Sequence, residues 1–342
     1  MGGGLAEPRR YEGRGKLLFF GEHSAVYGAP AIGVTLPLGI RIALEDGVGS
    51  LGRLWGVPDE YLTKFADLLD ATRAILDYPK AFKGMDIRLE SDLPPGSGLG
   101  SSAALCVAIM AAGARRPRAG GAATSEELWA YAHEAERLFH GKPSGIDTGL
   151  ASGSGIAALY PRPRGLPEKR HLSPVPFWLV AGTVPRSGNA RELIRGVGER
   201  YAEGCKTTLE AIRELGTISE RAIAAFSSAG TTASLIEALA PHADAAQERL
   251  SALGLSTPAL EEALSAGKRA GGRVAKLSGA GGGGAFFFIV GDGETAADVH
   301  AAILDLFRSL RTGDLLKPLR WTGSALEIDP SADVGFYSLR TT

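Results

Sequence analysis

The sequence predicts an α+β protein built from two domains. Three observations carry that prediction. The first half of the chain reads as strands and loops followed by helices, whereas the second half is mostly helical with a few strongly apolar strands. The length, 342 residues, is long for one hydrophobic core and comfortable for two. The 47 glycines gather at 96–100, 120–121, 153–155, 271–272 and 279–284 without a repeating period, a pattern expected where backbone must approach a partner closely.

Taken in order, Lys16–Phe20 and Gly39–Glu45 read as strands, and so does Met85–Glu90, where Met85, Ile87 and Leu89 alternate. Glu60–Leu76 has helical spacing through Leu62, Phe65, Leu68, Leu69 and Ile75. A helix is expected from Ser101 to about Met110, and Gly113–Ala123 combines Gly, Pro and Arg as an exposed loop would. Thr124 and Glu127 form a capping-box pattern ahead of a helix whose apolar face is Leu128, Tyr131, Ala132, Ala135, Leu138 and Phe139. Gly141 and Pro143 close it. Gly155–Tyr160 and Phe177–Val184 read as strands joined by a proline-rich connection, Pro161–Pro176. Helices are then expected at Asn189–Leu215, Ser219–Ser228, Thr232–Leu253 and Pro258–Ala270. A strand at Arg273–Leu277, a glycine loop, the apolar strand Ala285–Val290, a helix at Thr295–Leu310 and a last strand near Ala325–Ile328 complete the chain. The domain division is expected near residue 180, giving domains of residues 1–180 and 181–342.

Composition narrows the function classes. Hydrophobic residues make up 44%, charged residues 22%, and the formal net charge is −1. Nothing in that balance suggests a nucleic-acid or membrane-surface partner. Cys106 and Cys205 are too few for a disulfide framework, which fits a reducing cytoplasm. Met1–Arg10 has no apolar stretch of the kind a secretory signal carries. No segment reaches the ~18 consecutive apolar residues of a membrane span.

The segment Asp92–Ala104, DLPPGSGLGSSAA, carries the most chemistry. Pro94 and Pro95 fix the entry, three glycines alternate with other residues, and an apolar helix starts at the serines. Such a segment turns successive backbone N–H groups into one concavity at a helix N-terminus, where the helix dipole adds positive charge; a triphosphate suits it. A glycine turn that merely starts a helix needs one Gly rather than three with Ser-Ser. The segment lacks the Gly-Lys-Ser/Thr of a Walker A loop and the acidic residue of a dinucleotide fingerprint.

PPGSGLGSSAA resembles the phosphate loop of the GHMP kinases, the galactokinase, homoserine kinase, mevalonate kinase and phosphomevalonate kinase superfamily. Three further segments resemble that family in the expected order: GKLLFFGEHSAVYG at Gly15–Gly28, ERLFHGKPSGID at Glu136–Asp147 and KLSGAGGGG at Lys276–Gly284. The resemblance runs from about residue 15 to 330. It implies a two-domain GHMP fold with the active site in the cleft between an ATP-binding N-terminal domain and a C-terminal domain, and it implies ATP and Mg²⁺ as cofactors. Pro95, Gly96, Ser97, Gly98, Leu99, Gly100, Ser101 and Ser102 would hold the ATP phosphates. Ser102 and Glu136 would hold Mg²⁺ through hard oxygen atoms. Asp147 would take the proton of the attacking hydroxyl, with Lys16 beside it stabilising charge in the transition state. Glu22 and His23 would face the acceptor, and Gly279–Gly284 would close the site.

Each of these residues also has a plainer reading. Glu136 and Glu134 both lie about 90° from the centre of their helix's apolar stripe at ~100° per residue, so periodicity does not choose between them; the family register selects Glu136. Asp147 could be the N-cap of a short helix. Lys16 could be an ordinary strand-edge lysine, and His23 a hydrogen-bonded structural histidine. The run at Gly279–Gly284 could be a flexible linker, although an apolar strand follows it directly. His133, His171, His242 and His300 show no ligand spacing.

Within the family, GEHSAVYG, HGKPSGID and LSALGLSTPALEEAL resemble the mevalonate kinase branch, which implies mevalonate as substrate; the family also contains homodimers. Lys142 and Thr148 depart from that branch, where an uncharged polar residue and Asn are usual. An added lysine near the acceptor could tolerate a second anionic group, which keeps phosphomevalonate kinase as the alternative. A catalytically inactive ligand-sensing relative would be expected to lack Lys16, Glu136 or Asp147, and all three are present.

Overall fold

The structure, a computed structural model, describes residues 8–47, 52–115, 123–187, 190–328 and 336–338. The chain begins with β1 (Arg9–Phe20), β2 (Ala31–Asp46), β3 (Leu54–Trp55), α1 (Leu62–Ile75), β4 (Met85–Ser91), α2 (Ser101–Gly113), α3 (Ser125–His140) and α4 (Ile146–Ala151). It continues with β5 (Ile156–Tyr160), β6 (Glu168–Leu172), β7 (Phe177–Val184), α5 (Ala190–Ala202), α6 (Lys206–Ser228), α7 (Thr232–Ala252) and α8 (Pro258–Arg269). It ends with β8 (Val274–Leu277), β9 (Gly284–Val290), α9 (Gly293–Leu310), β10 (Asp314–Leu316), β11 (Leu319–Trp321), β12 (Leu326–Ile328) and β13 (Phe336–Ser338). None of the described helices is long and apolar enough to cross a membrane.

Two compact units interleave along the chain. One comprises the chain up to Gly15, Leu38–Pro95 and Gly100–Gly153; the other comprises Lys16–Pro37, Gly96–Leu99 and the chain from Ser154 onward. The boundary expected near residue 180 divides the chain once, whereas these units exchange segments several times.

In the first unit, Ile40–Asp46 of β2 pair antiparallel with β4, and β3 joins β4 in parallel. Helix α2 packs against α1, α3 and α4. It is apolar on every side, with Ala103, Cys106, Val107, Ile109 and Met110 all buried, and so it forms the centre of a core that also holds Ile42, Leu68 and Ala132. Helix α3 starts as its sequence indicates: the Thr124 side chain accepts from the Glu127 N–H, and the Glu127 carboxylate accepts from the Thr124 N–H.

In the second unit, Ala31–Val34 of β2 pair with β5, and β5 pairs with β6. A second sheet has β7 at its centre. Strand β9 lies along one side of β7, while β10 and β11 share the other, and β8 extends the sheet beyond β9. All these pairings are antiparallel. Phe19, Phe177, Phe226 and Phe287 pack together in this unit, with the Phe19 and Phe226 rings stacked at 5.5 Å.

Several expectations need correction. Strands β1 and β2 extend well beyond 16–20 and 39–45; the added part of β1 is largely exposed, so it carries no apolar alternation to betray it. The helix expected at 189–215 breaks at Gly204, whose φ of +75° ends α5, and α6 then runs unbroken to Ser228. Gly216, inside α6, marks close packing against Ala29 rather than a stop. The proline-rich connection contains β6, and the three-residue strands β10 and β11 are too short to show a period. In the loop expected at 113–123, Gly113 is the last residue of α2, and residues 116–122 lie outside the described residues.

Candidate active site

The alternating glycines of the phosphate-loop segment take the backbone form that their spacing suggests. Gly96, Gly98 and Gly100 have φ of +68°, +87° and +83°, while Ser97 and Leu99 between them do not enter the left-handed region. That alternation turns successive N–H groups toward one side, the geometry that cradles anions. Gly100 is the N-cap of α2 and supplies no side-chain cap, so the first turn, with Ser101 and Ser102, keeps its N–H groups for another acceptor. Ser97 Oγ accepts from the Leu99 N–H at 3.3 Å, and the Leu99 carbonyl accepts from the Lys16 N–H at 2.8 Å. Lys16 itself is buried.

In the first unit, helix α3 presents its two acidic candidates differently. Glu136 is 2% exposed, whereas Glu134 is half exposed and ion-pairs with Arg137 at 2.9 Å. One turn beyond Glu136, His140 places its Nε2 3.9 Å from Glu136 Oε1 and 3.1 Å from Ser102 Oγ. Asp147, half-buried, is the second residue of α4, whose N-cap is Gly145; Asp147 is therefore not the cap that its sequence context also allowed. The Trp129 indole N–H donates to the Gly145 carbonyl at 2.9 Å, fixing the turn that aims α4.

In the second unit, Glu22 and His23 are both buried at the end of β1. The Lys276 ammonium donates to Glu22 Oε1 at 2.5 Å and to the Leu277 carbonyl at 2.6 Å. Burial pushes the Glu22 carboxyl up and the Lys276 amine down, while each partner's charge pulls the other back. His23 has φ +60°, a conformation that a non-glycine residue holds only when its surroundings enforce it. Its Nε2–H donates to the Ala280 carbonyl at 3.1 Å, and burial, aided by the Lys276 charge, lowers its pKa to about 4, so the ring is neutral near pH 7.

The glycine run at 279–284 is held rather than loose. All five of its glycines have positive φ. Gly282 N–H donates to the Leu255 carbonyl at 2.7 Å, and the Gly282 carbonyl accepts from the Ser187 N–H at 2.8 Å. A side chain at Gly281 would overlap the Leu255 carbonyl. Arg186 ties this run to the other glycine segment: its Nε donates to the Gly96 carbonyl and its Nη1 to the Gly281 carbonyl, each at 2.8 Å.

Three residues escaped the sequence reading. Lys276 left a usable signal, a single charge inside an apolar strand where all four residues are buried. His140 lies at i+4 from Glu136, a spacing that is visible once Glu136 is suspected. Arg186 follows a strand end and has no periodic signal.

Two family models match the chain, GHMP kinases N terminal domain over residues 60–155 and GHMP kinases C terminal over residues 209–309. The mevalonate kinase of Thermococcus gammatolerans is 30% identical over 313 residues, an alignment covering 84% of this chain and 90% of that protein. Among solved structures, L. major mevalonate kinase in complex with R-mevalonate superposes with a TM-score of 0.71 at 22% identity, covering 89% of this chain and 94% of that one. Lactococcus lactis galactokinase complexed with galactose superposes with a TM-score of 0.73 at 13% identity, covering 94% and 95%. The chain belongs to the GHMP kinases. Because two enzymes with different acceptors superpose equally well, the fold alone does not select the acceptor.

Proposed function

We propose that the protein is an ATP-dependent kinase that phosphorylates the primary hydroxyl of mevalonate, giving 5-phosphomevalonate and ADP. The observation that carries this reading is the 30% identity to a mevalonate kinase across 90% of that enzyme's length. The segments GEHSAVYG and HGKPSGID, which resemble the mevalonate kinase branch although galactokinases share Gly-Glu-His, support the same reading.

Phosphoryl transfer depends mainly on positioning and charge neutralisation, because the γ-phosphoryl group is shielded by negative charge and a primary hydroxyl is a weak nucleophile. In this reading the N–H groups of the Gly96–Ser102 loop and of the first turn of α2 bind the triphosphate. Asp147 accepts the hydroxyl proton as the oxygen bonds to the γ-phosphorus, the bond to the β-bridging oxygen breaks, and ADP leaves. Lys16 contributes a fixed positive charge. The glycine run at 279–284 is held in place by the His23 and Arg186 side chains and by the Leu255 carbonyl.

The donor set suits Mg²⁺. Ser102 Oγ and the buried Glu136 carboxylate both approach the same ring nitrogen of His140, so a hydroxyl and a carboxylate oxygen face one small space. Hard oxygen ligands of this kind, few in number and completed by phosphate and water, are those Mg²⁺ takes in kinases. When bound, the ion would neutralise phosphate charge.

The alternative acceptor is phosphomevalonate, favoured by Lys142, which stands exposed in the turn after α3 and could meet a second anionic group. A coupled ADP-release assay on mevalonate, phosphomevalonate, galactose and homoserine tests the assignment. Mevalonate is expected to give the highest kcat/KM. A clear preference for phosphomevalonate, with mevalonate near background, would overturn the acceptor and leave the kinase reading standing.

A further inference from the structure

Ser102 and Glu136, the pair assigned above to the metal, share a neighbour that has no role so far. His140 closes α3 one turn after Glu136, and α3 packs against α2, whose first turn carries Ser102. A single ring nitrogen, Nε2, stands 3.1 Å from Ser102 Oγ and 3.9 Å from Glu136 Oε1. The first distance is a hydrogen bond and the second is beyond one. The ring therefore engages the hydroxyl.

A hydroxyl that coordinates a cation does so through an oxygen lone pair, and its own O–H bond must then point away from the ion toward an acceptor. If none is available, the hydroxyl rotates and its lone pairs are directed at random. We propose that His140 is a positioning residue for the metal: its Nε2 accepts the Ser102 O–H and so holds the Ser102 lone pairs toward the cation that Glu136 also binds. The assignment rests on the reading of Ser102 and Glu136 as metal ligands. Partners of this outer kind orient a ligand without touching the ion, and their loss typically costs about 10–100-fold in metal affinity. The arrangement is economical in sequence, since one helix turn carries both a ligand and the group that orients the other ligand.

The test measures Mn²⁺ binding by electron paramagnetic resonance on the intact protein saturated with ADP, with ADP affinity in chelator as a control. The variants are His140→Gln, His140→Asn, Ser102→Ala and Ser102→Ala/His140→Asn. A Gln carbonyl can reach the place of Nε2, whereas Asn is too short. Both are polar and sit at a partly exposed position, so folding is expected to survive. The expected result is Mn²⁺ affinity near wild type for His140→Gln and about 10–100-fold weaker for His140→Asn. The double variant should be no weaker than Ser102→Ala alone, because the histidine acts through the serine. Metal-free ADP affinity of the two His140 single variants should not change. The proposal is overturned if His140→Asn binds Mn²⁺ as wild type does or more tightly, if the two losses add, or if metal-free ADP affinity falls in parallel. If Ser102→Ala leaves Mn²⁺ affinity unchanged, the ligand assignment itself fails and the proposal with it. That outcome is distinct from a Ser102→Ala defect which His140→Asn does not share.

Discussion

Lys276 and Glu22, 254 positions apart, form a fully buried ion pair, with side-chain exposures of 0% and 1%. The pair binds the turn after β1 to the strand that leads into the glycine run. Ser278 repeats the link one step along, its Oγ donating to the Leu18 carbonyl at 2.8 Å and accepting from the Leu18 N–H at 3.0 Å. Glu22, expected from the family resemblance to face the acceptor, thus has a buried lysine as its immediate partner.

Removing one member of that pair leaves the other charge buried and uncompensated, which typically costs about 3–5 kcal/mol, whereas replacing both with apolar residues is often nearly neutral. Lys276→Met is therefore expected to lower unfolding free energy by about that amount. Glu22→Leu/Lys276→Met should recover much of it. Urea unfolding of both variants measures the difference, and a double variant no more stable than the single would count against the pair as an isolated charge balance.

His23 makes stability depend on pH. Its ring is neutral when folded, with a pKa of about 4, against an ordinary value of 6.5 when the chain unfolds. The unfolded chain thus binds the extra proton first as pH falls. The contribution is complete above pH 6.5, shrinks as pH falls toward 4 and levels off below that. The full span corresponds to about 3 kcal/mol. His23→Gln, which keeps an N–H for the Ala280 carbonyl, should lose less stability than wild type between pH 7 and pH 4.5. Equal losses in paired thermal melts would remove His23 as the cause.

Glu136→Gln should weaken metal binding by at least the roughly 10–100-fold that loss of an outer partner costs. Glu134→Gln should have little effect, since Glu134 pairs only at the surface with Arg137 and such pairs are worth ~1 kcal/mol or less. Mn²⁺ titration of the two variants decides; a larger defect at Glu134 would show that the inward face of α3 was misassigned.

Asp147→Asn should reduce kcat by about 10²–10⁴-fold with little change in KM, as loss of a general base does. Asn is close in size and the position is only half-buried, so Tm should hardly move. A lower Tm with near-normal turnover in the folded fraction would instead mark Asp147 as structural.

The sequence by itself determined the family, the order of its four motifs and the glycine positions. Those features are local: a left-handed φ at Gly96, Gly98 and Gly100 is a property of each residue's own backbone, and the Thr124–Glu127 cap closes within one turn. Helical period alone left Glu134 and Glu136 tied, because it places both beside the apolar stripe, and only the family register favoured Glu136. Only packing of α3 against α2 buried one carboxylate and left the other in solvent. The same holds for Lys276 with Glu22, Arg186 with Gly96 and Gly281, and His140 with Ser102. Each joins positions 38 to 254 residues apart, and no periodicity along a chain can specify which distant groups will meet once water is excluded from between them.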